Sequence, residues 1–188
     1  MFNNNESVYL RAFELDDYKL INKWRNDPEI NELLANNIVF VSSVREKAWV
    51  EEKIHNDKVD IYFAICDKET NEMVGYSSVR KINWRNKSAY WGGMTIGKEH
   101  WNKGYALAAN ALIHKFVFDE LGLNRFYTDY LETHTISDKI FKKMGWTKEG
   151  VTRQDIFKNN QFHNVVIVSL LKHEYDTMKN EKSNTEKN

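Results

Sequence analysis

The stretch from Met94 to Ala106, Met-Thr-Ile-Gly-Lys-Glu-His-Trp-Asn-Lys-Gly-Tyr-Ala, constrains this chain more than any other. A strand-like run, Ala89 to Ile96, ends in a short polar loop, and a helix opens after Gly104 with small Ala106 in its first turn. That helix has one apolar face, because Ala109, Leu112, Ile113, Phe116 and Val117 recur at i, i+3, i+4, i+7 and i+8. Gly122 follows as a stop signal. A helix start carries unpaired N–H groups and about half a positive charge, so small residues there can admit a phosphate. The loop lacks the extra glycines of a Walker A loop or a dinucleotide fingerprint. On these residues alone, an anion site and an ordinary strand-to-helix connection both remain open. The pair Gly92-Gly93, inside the preceding strand, signals a bulge or a close backbone approach.

Around this stretch helices and strands mix. Val8 to Phe13 is expected as a strand and Glu14 to Arg25 as a helix, with Glu14, Asp16 and Asp17 in the first turn where the dipole favours acids. Pro28 biases Asp27 away from helical angles and ends that helix. Ser42 or Ser43 caps a second helix through Ile54, with Trp49 on its apolar side. Val59 to Asp67 and Glu72 to Lys81 are strands about the polar turn Lys68-Glu69-Thr70-Asn71. Arg125 to Glu132 is a strand, and Ser137 to Met144 a short helix ended by Gly145. Val151 to Lys158 and Phe162 to Leu171 form a closing hairpin about Asn159-Asn160. This order predicts an α+β fold, a mixed sheet with helices on both faces.

Composition narrows the function. The chain has 188 residues, with 27 Lys+Arg against 27 Asp+Glu, so no global charge draws it to nucleic acid or an anionic membrane. One cysteine, Cys66 in an apolar run, excludes an intrachain disulfide framework and a cysteine zinc cage, and is expected as a small core residue. The His residues show no metal-ligand spacing, so no metal is expected. No segment approaches the roughly 20 apolar residues of a bilayer span. Met1 to Ser7 lacks signal-peptide features, making the cytoplasm the default. Residues 179–188 contain no apolar side chain and are expected as a frayed tail, within a polar C-terminal stretch 176–188 after one domain over 8–175.

Trp101-Asn102-Lys103-Gly104-Tyr105-Ala106 resembles the acyl-CoA pyrophosphate loop of the GNAT N-acetyltransferase superfamily, whose pattern is Arg/Gln-x-x-Gly-x-Gly/Ala. One branch, like the ribosomal-protein-alanine (Rim-type) N-acetyltransferases, prefers Trp-Gly-Lys-Gly-Tyr-Ala. Trp24-Arg25-Asn26-Asp27-Pro28 resembles the end of that branch's first helix, and Leu121-Gly122-Leu123-Asn124-Arg125 the approach to its fifth strand. Ser137, Lys143-Met144-Gly145-Trp146 and Glu149-Gly150 resemble its Asn-x-x-Ser…Lys-x-Gly-Phe…Glu-Gly signature. The resemblance runs from Val8 to Tyr175.

It implies the GNAT fold, mostly antiparallel with splayed central strands, and transfer of acetyl from acetyl-CoA to a primary amine by direct attack. Met94, Thr95 and Ile96 would hold the pantetheine arm, and Trp101, Asn102, Lys103, Gly104, Tyr105 and Ala106 the pyrophosphate. Trp24, Arg25 and Tyr90 would line the acceptor site. An alkylammonium, with a pKa of roughly 10, must lose a proton before attack, and Glu132 is the candidate base. Ser137 would protonate the departing thiolate or hold it, and its hydroxyl can equally cap the short helix. His134 replaces the branch's pantetheine-binding Asn and can hydrogen-bond there or act as a base. Phe141 stands where many members have a tyrosine acid, and Ala108 replaces a common glutamate. These departures motivate the alternative of a non-catalytic acyl-CoA-binding sensor or interaction module. The resemblance also implies homodimers through exposed closing strands. The acceptor stays open among a protein N-terminus, a polyamine, an aminoglycoside and an amino sugar. Glu29, Glu32, Asp16 and Asp17 can gather ammonium groups, whereas Arg25, Arg80 and Arg85 can hold a nucleotide-sugar phosphate.

Overall fold

A computed structural model describes residues 7–35, 40–55 and 58–185. The expectations for the first six residues and for 186–188 lie outside the described residues. The chain runs β1 (Val8–Arg11), a 3-10 turn (Leu15–Asp17), α1 (Tyr18–Arg25), α2 (Pro28–Leu33), α3 (Ser43–His55), β2 (Ile61–Asp67), β3 (Met73–Asn83) and β4 (Ser88–Ile96). It continues through α4 (Tyr105–Lys115), a π turn (Phe116–Glu120), β5 (Arg125–Leu131), α5 (Thr135–Lys143), β6 (Thr147–Lys158), β7 (Gln161–Leu171) and α6 (Lys172–Thr185).

One seven-stranded sheet has the order β1-β2-β3-β4-β5-β7-β6. Every neighbouring pair is antiparallel except β4 and β5. Those two run parallel and pair only over Ser88–Tyr90 and Arg125–Tyr127 before they diverge. The divergence follows from the two glycines. Between Ser77 and Val79 of β3 the register against β4 slips, so Gly92-Gly93 bulges, with Gly93 at φ 85. Thr128 Oγ1 donates to the Trp91 carbonyl at 2.9 Å, a side chain bonding where the ladder has ended.

Alternation gives the sheet two chemically distinct faces. Tyr62, Ser78, Arg80, Tyr90 and Tyr127 stand on one, linked pairwise by register. This face carries α1 and α3, with Phe13, Ile21, Trp24 and Val50 buried against Ala64 and Cys66. The other face packs Val79, Trp91 and Phe126 against Ile113 and Val117, with Phe141 of α5 and Tyr175 of α6 in the same core. Cys66 is a buried free thiol whose pKa burial pushes up. Asn159 and Asn160, at φ 51 and 59, supply the two left-handed residues of the tight β6–β7 turn.

Three elements depart from the sequence expectation. The first predicted helix begins as a 3-10 turn, because Asp17 accepts from the Glu14 amide at 2.8 Å and is gripped by Arg11 at 2.7 and 2.8 Å. Pro28 does end α1, but it also begins α2: the Asp27 side chain accepts from the Glu29 amide at 2.9 Å and Pro28 takes the first helical position. The frayed tail expected from Lys179 is instead helix through Thr185. Tyr175 anchors it, stacked on Phe118 at 4.9 Å with its hydroxyl 2.9 Å from Asp119.

Candidate active site

The strand splay opens a cavity of about 390 Å³ between β4, β5 and the starts of α4 and α5. Met94, Thr95, Ile96, Trp101, Ala106 and His134, all expected at the cofactor, line it, as does Ser137. The backbone orientation follows from two bonds. The Gly97 amide reaches back to Val74 of β3 at 2.9 Å, while the Ile96 carbonyl points away and takes Trp101 Nε1 at 2.8 Å. In extended backbone, residues i and i+2 aim their N–H and C=O groups the same way. Met94 and Ile96 therefore aim theirs into the splay, where β5 no longer pairs. The Ile96 carbonyl is already used by the Trp101 indole, which makes Trp101 a support of the cavity wall.

Asn102, Lys103 and Gly104 are exposed on the turn before α4. Asn102 at φ 62 and Gly104 at φ 81 are left-handed, and a Cβ on Gly104 would meet nothing within 4 Å, so open space lies over the helix start. The Tyr105 hydroxyl donates to Asp67, which commits that side chain to the fold and leaves only its amide for an anion. That bond, with the Glu69 and Thr70 amides, holds the Asp67 carboxyl down at about 2.

At the far side of the cavity Ser137 Oγ and His134 Nδ1 are 2.5 Å apart. His134 occupies the N-cap position and Ser137 the third residue of α5, so Ser137 is inside the helix and is not its cap. Burial, then the Lys158 charge, lowers the His134 pKa. His134 Nε2 is buried without a hydrogen-bond partner, and so is Oδ1 of Asn110, a cavity-lining residue of α4 that the sequence analysis did not single out. Its position one residue past Ala109, at the edge of the apolar stripe, was the available signal. Phe141 packs edge-on against Trp91 at 5.6 Å and stacks on Tyr130 at 5.3 Å, so an aromatic wall stands where a hydroxyl acid would.

Two expected residues fall elsewhere. Glu132 is exposed beyond the end of β5, accepts from Asn164 Nδ2 at 2.8 Å, and lines neither this cavity nor the one below. The strand stops at Leu131, where a turn closes through the His134 amide; the Glu132 amide still donates to the Asn164 carbonyl of β7 at 3.0 Å, while its side chain stands exposed at the sheet's end. Trp24 is 1% exposed, 6.3 Å from the Tyr76 ring, and a Cβ on Gly97 would strike its Nε1 at 2.5 Å. It is a core residue beneath the site with no access to a substrate. Tyr90 does face the splay, with its hydroxyl 3.0 Å from Asp129, a second cavity-lining residue. Burial, then Asp129, pushes the Tyr90 phenol up to about 12.

A second cavity of about 530 Å³ lies on the α1/α3 face and shares Leu34, Arg80, Gly92, Gly93, Met94 and Thr95 with the first. The two hollows meet at the bulge. Arg25 reaches the second, with its guanidinium 3.9 Å over the Trp49 ring. Among the described residues no cluster of His, Cys, Asp and Glu could hold a metal, and no helix is long and apolar enough to cross a membrane.

A mostly apolar slot between diverging strands, ending at an open helix start, suits a long thioester cosubstrate with a phosphate-bearing end. The buried, unpartnered Asn110 and His134 atoms fit the polar groups of such an arm. These features define a class, an acyl-CoA-dependent transferase. Residues 7–147 match the acetyltransferase (GNAT) domain family. The uncharacterized N-acetyltransferase p20 of Bacillus licheniformis is 29% identical over 171 residues, 90% of this chain and 96% of that protein. The putative ribosomal N-acetyltransferase YdaF of Bacillus subtilis is 29% identical over 104 residues, 55% of either chain. The crystal structure of spermidine N-acetyltransferase from Vibrio cholerae in complex with CoA and spermine is similar in fold, with TM-score 0.83 and 22% identity over 91% of this chain and 99% of that one. The chain belongs to the GNAT acetyltransferase family and is an acetyl-CoA-dependent N-acetyltransferase.

Proposed function

We propose that acetyl-CoA lies in the cavity between β4 and β5 while the amine enters from the opposite, α1/α3 face, and that the two meet at Gly92-Gly93. The observation that carries this reading is the junction of the two cavities at the bulge. The Tyr105 and Ala106 amides, at the start of α4 where no intrahelical acceptor exists, receive the pyrophosphate, and Lys103 adds a charge-assisted contact. The Met94 and Ile96 backbone groups and Asn110 Oδ1 hold the pantetheine arm.

In the reaction the amine nitrogen bonds to the thioester carbonyl carbon. The Met94 N–H faces the oxygen on which charge develops, and a preorganised donor of this kind lowers the barrier by about 3 kcal/mol. The amine proton passes to Asp129, a carboxylate lining the cavity beside Tyr90, rather than to Glu132. The carbon–sulfur bond breaks, the thiolate takes the Ser137 hydroxyl proton, and Ser137 Oγ recovers a proton from solvent as Asp129 releases the one it took from the amine. In this scheme His134 is neutral and donates its Nδ1–H to Ser137 Oγ, which leaves the Ser137 O–H free for the sulfur. The short likeness to YdaF supports kinship with the Rim-type branch, and dependence on acetyl-CoA supports a cytoplasmic site of action.

The test is thiol release from acetyl-CoA across a panel of amines, for the wild type and Ser137→Ala. Proton transfer by a positioned group contributes roughly a hundredfold or more. A fall of that order in kcat, with acetyl-CoA affinity within about twofold of wild type, is the expected outcome. Acetyl-CoA binding with no thiol release on any amine would favour a non-catalytic binder. Unchanged turnover would remove Ser137 from the reaction.

A further inference from the structure

We infer that the acceptor is a small molecule carrying an anionic group, a carboxylate or a phosphate, on the same skeleton as its reactive amine. The inference rests on the proposal that the α1/α3-face cavity admits the acceptor, and it names the chemistry of that molecule.

The charge lining this cavity is one-sided. Arg25, Arg45, Lys53 and Arg80 border it, and among the described residues no Asp or Glu does. Each nearby carboxylate is set back. Glu46 is fully buried behind Arg25, 3.1 Å from its Nη1, with neither oxygen in hydrogen-bond geometry. Burial raises the Glu46 pKa against the pull of Arg25 and Arg45. Lys53 pairs with the exposed Glu52 at 2.8 Å, a contact that water screens. Asp60 approaches Arg80 Nε only to 3.8 Å, and that Nε is buried with no hydrogen-bond acceptor. The Arg80 side chain is otherwise 40% exposed, so its outer guanidinium nitrogens border the cavity, and a bound carboxylate or phosphate oxygen gives them an acceptor in the geometry that a guanidinium prefers.

Position ties the anion to the amine. Arg80 borders both cavities and pairs across the sheet with Tyr90, whose hydroxyl bonds to Asp129. An anion on Arg80 therefore lies next to the bulge where the amine must attack, within the span of one small molecule. Trp49, Tyr62 and Tyr76 wall the rest, with Trp49 and Tyr62 edge-on at 5.2 Å, so the body between the two groups meets aromatic surface. A polyamine would bring further ammonium groups against these cations, and like charges in a shielded cavity repel.

Matched pairs of amines test this: β-alanine with its amide, phosphoethanolamine with ethanolamine, and spermidine as the polycation. Binding is measured by calorimetry on CoA-saturated protein, so no acetyl transfer occurs, and turnover is then measured with acetyl-CoA. A charge-assisted bond of about 2 kcal/mol corresponds to over tenfold in affinity. At least one anion-bearing member is expected to bind about tenfold or more tighter than its neutral partner, with the tighter pair distinguishing carboxylate from phosphate. Arg80→Gln and Lys53→Gln, each kept only if its melting temperature stays near wild type, are expected to erase most of that preference. Tighter binding of spermidine, equal binding within each pair, no binding by the panel, or a preference that survives Arg80→Gln would overturn the inference. Anion-selective binding without thiol release would leave it standing and overturn the catalytic reading instead.

Discussion

In the proposed reaction, Ser137 and His134 divide one task between two neighbouring side chains. The hydroxyl lines the cavity, and burial and the Lys158 charge both disfavour the imidazolium. Because burial and then Lys158 lower the His134 pKa from its ordinary 6.5, its native titration in NMR is expected to fall below that value. A depressed pKa means that the associated stability is complete above the ordinary value and is lost as pH falls through the native one. A midpoint at or above 6.5 would contradict the buried pair. Asn110 offers a separate handle on the cofactor. Asn110→Ala removes a buried, unpartnered oxygen in the cavity wall, and acetyl-CoA is expected to bind roughly fivefold weaker, the loss of about 1 kcal/mol, by calorimetry. Motif spacing located Ser137, His134 and Arg25 in the sequence, and they line the two cavities, while their roles belong to the proposal. Asp129 and Glu132 lie three residues apart at the end of one strand. Strand alternation sets them on opposite faces, and only the end of β5 at Leu131 decides which of them remains at the splay.

At the level of elements, the bulge of β4 and the end of α2 set the shape of both cavities. Gly93 sits at φ 85, a conformation that costs an L-residue about 1–2 kcal/mol. Gly93→Ala is expected to lower unfolding free energy by that amount in urea titrations and to weaken acetyl-CoA binding, since the strand would flatten towards β5. Wild-type affinity in this variant would mean that the bulge does not shape the cofactor slot. Lys158 ties the β6–β7 hairpin to α2 by donating to the carbonyls of Asn31, Glu32 and Leu34 at 2.7, 3.0 and 2.7 Å. Leu34 borders both cavities. Lys158→Met is expected to lower stability by about 2 kcal/mol and to raise the acceptor KM more than it changes kcat. The paired glycines announced the bulge in the sequence, and the long amphipathic helix announced α4. The missed α2 had a local signal in Asp27-Pro28, an N-cap followed by proline, which also reads as a stop for α1. The missed α6 had little local signal: its tail is polar all round, and its order comes from Tyr175 packing on Phe118, a contact 57 residues away in sequence.

Over the whole molecule, the sheet acts as a partition with one opening. The α4/α5 side offers an apolar slot leading to a helix start, and the α1/α3 side offers an aromatic, cationic hollow. The only parallel pair described, β4 and β5, separates where the two hollows touch. The mixed sheet and its two helical layers followed from element order, but the splay did not, because it depends on where pairing stops. The central claim is that acetyl-CoA occupies this splay. Backbone amide NMR of the protein titrated with acetyl-CoA tests it most directly. The largest shifts are expected at Met94, Ile96, Tyr105 and Ala106, with Asn110 alongside and with β1 and the β6–β7 turn unmoved. Saturable binding whose shifts avoid β4 and the start of α4 would contradict the account.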